Sequence, residues 1–287
     1  MKIAVVSGKG GSGKTGVTAS FVSLSEKVIA IDCDVDASNL PLVFSHKIEK
    51  EQSFVSGNHV DVDTDRCIGC GNCADKCTFG AIKIRNGKAE VNALLCEGCS
   101  LCEYICPAGA LKLEEDANSV IFKSSFAHGI MIHGNLKPGD DNSGLMISKL
   151  REMADEEMAE SGIQTQILDG PPGIGCPVLS TMTGMDKVVI VSEPTLSGLS
   201  DLKRIYQVAV SFCKDISVII NKCNVNLQNR DKIKNFCDAM HLPVIAEIPF
   251  DRIMVDAQLN CSSIVEYAPE SECARAVIMA YNKIMGR

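Results

Sequence analysis

Gly8-Lys-Gly-Gly-Ser-Gly-Lys-Thr15, GKGGSGKT, is the stretch that decides the fold of this chain. It fits the pattern G-x-x-x-x-G-K-S/T, and its surroundings are the ones that pattern requires. Lys2 to Ser7 before it reads as a short buried strand, and Lys14 to about Leu24 after it reads as a helix. Gly8, Gly10, Gly11 and Gly13, with Ser12 and Gly16, let backbone N–H groups converge on phosphate oxygens at the positive end of the helix. Lys14 is expected to reach the β- and γ-phosphates, and the Thr15 hydroxyl to reach Mg²⁺. The competing reading is a glycine-rich turn that binds nothing.

Working outward, Val28 to Ile31 reads as a second strand, ending in the acidic loop Asp32-Cys-Asp-Val-Asp36. From Asn118 on, Val120 to Ile132 is strand-like, Ser143 to Ser161 helical, and Gln164 to Leu168 a strand ending at Asp169. Three strand-then-helix units follow, with strands at Lys187 to Val191, Ile216 to Ile220 and Val244 to Ile248. Near-continuous apolar strands alternating with helices imply an α/β fold, a doubly wound and mostly parallel sheet covered on both faces. Residues 58–116 break this rhythm: they are polar, cysteine-rich and without long helical periodicity. The expected organisation is residues 1–57 and 117–287 as one domain, with 58–116 inserted.

The formal charge of −8 is spread without long like-charge blocks, so nucleic acid is not an expected partner. No apolar run reaches membrane-spanning length, and Ile3 to Val6 is too short for a signal-peptide core. Stable membrane insertion is not expected, and a cytoplasmic location is. Eight of the fifteen cysteines fall between residues 67 and 106, which in a chain of this size points to metal, cluster or redox chemistry rather than disulfides.

Those eight form two runs 29 residues apart, Cys67-x₂-Cys70-x₂-Cys73-x₃-Cys77 and Cys96-x₂-Cys99-x₂-Cys102-x₃-Cys106. In this spacing three close cysteines hold one [4Fe-4S] cluster and the fourth crosses to the other. The expected sets are Cys67, Cys70, Cys73 with Cys106, and Cys96, Cys99, Cys102 with Cys77. Two structural zinc sites are the alternative, because Cys-x₂-Cys pairs also serve zinc. The segment resembles two-cluster bacterial ferredoxin domains, with one departure: Thr78 stands where the first run would carry proline.

The loop KGGSGKT, in turn, resembles the deviant Walker A loop of the MinD/Mrp/ParA ATPases. That resemblance implies a nucleotide-sandwich dimer, homomeric or made with a paralogue, in which Lys9 reaches the partner's phosphates. IDCDVDASNL (31–40) resembles the first switch, with Asp32 near Mg²⁺ and Asp34 orienting the attacking water. ILDGPPGIG (167–175) resembles the Walker B strand and second switch, with Asp169 holding Mg²⁺ through water. IINKCN (219–224) puts Asn221 at the adenine edge, and IPFD (248–251) puts Pro249 and Asp251 beside the base. Cys176 stands where the nitrogenase iron protein, a relative of these ATPases, carries a ligand to a subunit-bridging cluster. No second cysteine occurs in the polar segment 133–144, where its mate would be expected, so Cys176 reads as an ordinary thiol. Ser143 reads as a helix cap, and His128 and His133 are given no role.

The expected function is Mg·ATP binding and hydrolysis coupled to electron transfer through the two clusters to a redox partner. The alternative is an ATPase that assists metallocofactor assembly or positions a protein complex.

Overall fold

The computed structural model describes residues 1–137 and 142–287. In chain order its elements are β1 (Lys2–Ser7), α1 (Lys14–Ser23), β2 (Val28–Asp32), β3 (His46–Phe54), β4 (Gly57–Val62), α2 (Asn72–Lys76), β5 (Ile82–Arg85) and β6 (Lys88–Val91). Then come α3 (Leu101–Tyr104), β7 (Leu111–Asp116), β8 (Ser119–Phe126), β9 (Gly129–Asn135), α4 (Ser143–Ser161), β10 (Gln166–Pro172), α5 (Cys176–Met182) and β11 (Lys187–Ser192). The chain closes with α6 (Leu196–Ala209), β12 (Ile216–Asn221), α7 (Leu227–Ala239), β13 (Val244–Ile248), α8 (Ile253–Leu259), α9 (Ile264–Tyr267) and α10 (Glu272–Met285). These pack as two units. One is Met1–Gln52, Ile121–Asn135 and Ser143–Arg287; the other is Ser53–Val120 with Leu136, Lys137 and Asn142.

The first unit is built on a nine-stranded sheet of order β13-β12-β11-β1-β10-β2-β9-β8-β3. Every pairing from β13 to β9 is parallel. These strands are apolar on both faces because helices cover both. Ile3 and Val5 pack with Val17 and Phe21 of α1 and Val277 and Tyr281 of α10. Ala4 and Val6 alternate with them and are equally buried, on the side where α4, α5 and α6 lie against β9, β10 and β11.

Four details differ from the sequence reading. The single strand expected over Val120 to Ile132 is a hairpin, β8 and β9. Gly129, at φ 136°, turns the chain where a Cβ would meet the Val28 carbonyl oxygen at 2.2 Å. β10 does not stop at Asp169 but runs to Pro172, held by its register with β1, where Ser7 pairs with Pro172. β3 had no strand signature, because HKIEKEQSF is charged rather than alternating; it is an edge strand, exposed along most of its length. Lysines and glutamates on such an edge discourage pairing with another chain. The polar segment 133–144 is shorter than expected: β9 continues to Asn135 and α4 begins at Ser143, which is the first helical residue rather than a flanking cap. Residues 138–141 of that segment lie outside the described residues.

His133 on β9 is buried, stacked on Phe122 at 4.9 Å, with its Nε2 unpartnered among the described residues. Burial, and secondarily His46, push its imidazole down to about 4. The folded chain therefore prefers the neutral ring. Its contribution is complete above the unfolded value of about 6.5 and is lost as pH falls through that value toward about 4. Replacing His133 by Phe is expected to recover about 2 kcal/mol of stability at pH 4 and almost none at pH 8, read from urea unfolding at both pH values.

The second unit has two antiparallel ladders, β4 with β7 and β5 with β6, and the short helices α2 and α3. Its buried core is Val60, Ala81, Ile82, Ala89 and Leu111 with Cys73 and Cys102. The 29-residue repeat is carried into the backbone. Gly69, Gly71 and Gly80 have φ of 68°, 84° and 64°, and their mates Gly98, Ser100 and Gly109 have 58°, 59° and 55°. A Cβ on Gly69 would lie 2.1 Å from the Gly87 oxygen, and one on Gly98 would lie 2.4 Å from the Asn58 oxygen. Gly87 and Asn58 are themselves repeat mates, so the two halves fold alike.

Candidate functional site

The phosphate loop joins β1 to α1 at the carboxyl edge of the parallel strands, the end at which open sheets bind ligands. α1 starts without a side-chain cap or an acidic residue in its first turn, leaving its N–H groups available to an anion. The Ser12 hydroxyl is buried there and has no hydrogen-bond partner among the described residues. Gly13, at φ 84°, admits no side chain, since a Cβ would stand 2.1 Å from Asn221 Nδ2. A cavity of about 610 Å³ opens over the loop, lined by Gly10, Gly11, Ser12, Gly13, Lys14, Thr15 and Gly16, with Asp34, Asn221, Pro249 and Asp251. Those dimensions and the uncapped helix fit a nucleotide whose phosphates sit on the loop.

Beneath the loop lies a buried charge cluster. Lys14 Nζ donates to Asp169 Oδ1 at 2.7 Å, Thr15 Oγ1 to Asp169 Oδ2 at 2.6 Å, and Thr18 Oγ1 to Asp169 Oδ1 at 2.7 Å. Asp32 accepts from the backbone N–H groups of Asp34 and Leu40 and from Ser38 Oγ, at 2.8–3.0 Å. Burial, reinforced by the Asp169 carboxylate, pushes the Asp32 carboxyl up to about 7. Asp34 is half-buried, and burial raises its carboxyl as well. Two carboxyls this close to a lysine and a threonine hydroxyl are a donor set suited to a hard divalent cation.

Not every expected residue lines the cavity. Gly8 packs on α6, where a Cβ would come within 2.6 Å of the Asp201 Cβ. Lys9 is turned toward the β11–α6 connection: its Nζ pairs with Glu193 at 2.5 Å and donates to Ser197 Oγ at 3.0 Å. Asn221, the last residue of β12, donates from Nδ2 to the Ser12 carbonyl at 2.8 Å, so it braces the loop from below. Asp251 accepts from the Ile253 N–H at 2.9 Å, and the Pro249 carbonyl accepts from the Cys273 thiol at 3.4 Å. Reading the sequence missed Thr18, one helical turn past Lys14, and Lys222, which donates to the Gly11 carbonyl at 2.8 Å and pairs with Glu193. It also missed Met254 and Val255 of α8, which form an apolar wall with Phe250 of the IPFD segment. Thr18 was legible from its i+4 spacing; Met254 and Val255, on a short helix distant in sequence, carried no motif.

In the second unit the eight cysteines sort crosswise. Cys67, Cys70, Cys73 and Cys106 line one cavity; Cys77, Cys96, Cys99 and Cys102, with Cys73, line another. Ala89 N–H points at Cys67 Sγ at 3.4 Å and Ala110 N–H at Cys106 Sγ at 3.3 Å. Hydrogen bonds from Ala89 and then Gly69 draw the Cys67 thiol below its ordinary value. Thiols gathered around two cavities, some with backbone donors aimed at their sulfurs, fit the ligand sets of iron–sulfur clusters. Among the described residues, no three His, Cys, Asp or Glu side chains are gathered tightly enough to hold a single metal ion. Of the other seven cysteines, Cys33, Cys213, Cys237 and Cys273 are buried, while Cys176 is exposed at the start of α5. Among the described residues no helix is long and apolar enough to cross a membrane.

A phosphate loop between the first strand and first helix of a parallel sheet, with an aspartate from a neighbouring strand beneath it, defines a P-loop nucleotide-binding protein. The chain belongs to the CobQ/CobB/MinD/ParA nucleotide binding domain family, which matches residues 3–264. It is 37% identical over 270 residues to an uncharacterized protein of Methanocaldococcus jannaschii, MJ0578, covering 92% of this chain and 91% of that one. Its fold is similar to that of the septum site-determining protein MinD of Pyrococcus horikoshii, solved with Mg-ADP, at a TM-score of 0.59 and 20% identity, covering 99% and 95% of the two chains. A stretch of 33 residues, 12% of this chain, is 52% identical to ferredoxin-2 of Desulfomicrobium norvegicum and covers 56% of it.

Proposed function

We propose that the chain is a Mg·ATP-binding and hydrolysing protein whose nucleotide state is coupled to electron transfer, through two [4Fe-4S] clusters, to a partner protein. The observation that most supports this is the crosswise sorting of eight cysteines into two cavities, in a chain whose other unit carries a complete phosphate loop. In this reading residues 58–116 are an inserted ferredoxin domain within an ATPase made of 1–57 and 117–287. The small apolar core of that unit supports the same reading, because so few buried side chains need a further source of stability.

At the phosphate loop, the N–H groups of Gly10 to Gly16 hold the phosphates, Lys14 turns from Asp169 to the β- and γ-phosphates, and Thr15, Asp32 and Asp169 take Mg²⁺. Asp34, on the cavity wall, orients the attacking water. Asn221, Pro249 and Asp251 border the base. Lys9 leaves Glu193 and crosses to the phosphates of a second chain, in a dimer with a copy or a paralogue. Positioning and charge neutralisation supply most of the rate in phosphoryl transfer, and these side chains provide both. In the cysteine cavities, clusters held by Cys67, Cys70, Cys73 and Cys106, and by Cys77, Cys96, Cys99 and Cys102, would supply one-electron chemistry.

The hydrolytic part is tested with Asp34→Ala. Phosphate release is expected to fall by about 10²–10⁴-fold while ATP binding stays within about threefold. Unchanged phosphate release would remove Asp34 from the mechanism.

A further inference from the structure

Because the two halves of the cysteine unit are near copies, what differs between repeat mates shows how the two sites differ. Ala89 pairs with Ile84 across β5 and β6, and their mates Val60 and Leu113 pair across β4 and β7. By the same relation Lys88 is the mate of His59. Lys88 Nζ donates to the Thr64 and Cys67 carbonyls, both at 2.6 Å, which fixes an ammonium beside the first cysteine of the first site. His59 stands instead between carboxylates, with Nδ1 3.1 Å from Asp116 Oδ1 and Nε2 3.5 Å from Asp61 Oδ1.

Directly beside the cysteines the difference runs the same way, although Asp63, Asp65 and Asp75 of the first half have the uncharged mates Asn92, Leu94 and Tyr104. Arg66 precedes Cys67, where Leu95 precedes Cys96. Glu97 and Glu103 follow Cys96 and Cys102, where Ile68 and Ala74 follow Cys67 and Cys73. No carboxylate lines the cavity of Cys67, Cys70, Cys73 and Cys106. The other cavity is lined by Glu97 and by Lys76, which offset one another.

We infer that the two cysteine sites are built to hold clusters of unequal electron affinity, and that Lys88 is the positioned charge that makes the cluster on Cys67, Cys70, Cys73 and Cys106 the first to be reduced. An added electron makes a cluster more negative, and a fixed cation a few ångströms away stabilises the reduced form more than the oxidised one. One electron from a low-potential one-electron donor takes that cluster from the 2+ to the 1+ state; the donor loses one electron, and no bond forms or breaks. The second cluster, where His59 stands in place of Lys88, is left oxidised until a second electron arrives. Electrons would thus rest at the Lys88 end.

This inference rests on the cluster reading of the cysteines, so the test separates the two. The full chain is purified and reconstituted anaerobically, and iron and sulfide are counted first; a chain that takes up no clusters overturns the cluster reading itself. Loaded protein is then titrated with dithionite through redox mediators and followed by electron paramagnetic resonance. Two separate one-electron steps are expected. Lys88→Gln keeps a donor for the two carbonyls but loses the charge. It should lower the upper step by about tenfold in electron affinity, about 59 mV for one electron, and leave the lower step in place. Lys88→Arg should leave both steps unmoved, and His59→Lys should raise the lower step toward the upper. Coincident steps in the unmodified protein, or a Lys88→Gln variant that moves neither step or only the lower one, would overturn the inference.

Discussion

Lys14→Ala is expected to abolish ATP binding and also to lower the stability of the nucleotide-free chain by about 3 kcal/mol, since removing one partner of a buried ion pair costs about 3–5 kcal/mol. A lysine that serves only a ligand would leave the free protein unaffected. Here the Lys14 and Asp169 side chains are 6% and 1% exposed, and the ammonium lies 2.7 Å from the carboxylate. Asp32 lies close enough that the Asp169 charge raises its carboxyl, so Lys14 is the cation that two buried acids share. Thr15 and Thr18 still donate to Asp169 in the variant, which keeps the cost near the lower end of that range. Urea unfolding at pH 7.5 and equilibrium binding of a fluorescent ATP analogue read the two effects separately. A variant that loses binding but keeps full stability would contradict the pairing of Lys14 with Asp169.

Cys106→Ser is expected to strip the cluster held by the first cysteine run while sparing the one held by most of the second. Cys106 belongs to the second run in sequence, yet it lines the cavity of Cys67, Cys70 and Cys73. Its thiol accepts from the Ala110 N–H at 3.3 Å, which fixes it there. Losing one of four ligands should reduce iron per chain by about half, and Cys70→Ser should remove the same half. In the doubly substituted chain the two losses should not add. Had each run held its own metal, as a pair of zinc sites would, Cys106→Ser would affect the second run and the double variant would lose everything. Metal analysis with visible absorption and electron paramagnetic resonance decides between these, since a zinc-loaded chain is colourless.

The nucleotide half of the fold was legible because its signals are local. GKGGSGKT fixes a strand, a turn and a helix within a short stretch, and each later parallel strand is an unbroken apolar run between polar turns. What escaped were features set by distant partners. β3 is a strand because β8 offers it an edge, not because HKIEKEQSF favours one. The turn at Gly129 depends on the close approach of Val28, from a different part of the chain. Motif resemblance assigned Asn221 to the base, but its amide also braces the Ser12 carbonyl, a contact made only once β12 and the loop are packed together. Lys9 is held within its own chain by Glu193, a residue that no motif singled out. In the cysteine unit, spacing alone carried both the repeat and the crossing. The electrostatic difference between the halves became readable only when the backbone showed which residues are mates.

In the proposed function, nucleotide bound at the phosphate loop governs electron flow through the cysteine unit. Its most direct measurement is the rate at which dithionite-reduced protein is oxidised by a one-electron acceptor protein, followed by stopped-flow absorbance with and without Mg·ATP. A change of at least about tenfold is expected on adding Mg·ATP, roughly 1.4 kcal/mol in activation free energy. The change is expected to persist in Asp34→Ala, which binds but does not hydrolyse, and to be absent in Lys14→Ala. Identical rates with and without Mg·ATP, in a protein shown to hold both clusters and to bind the nucleotide, would contradict it.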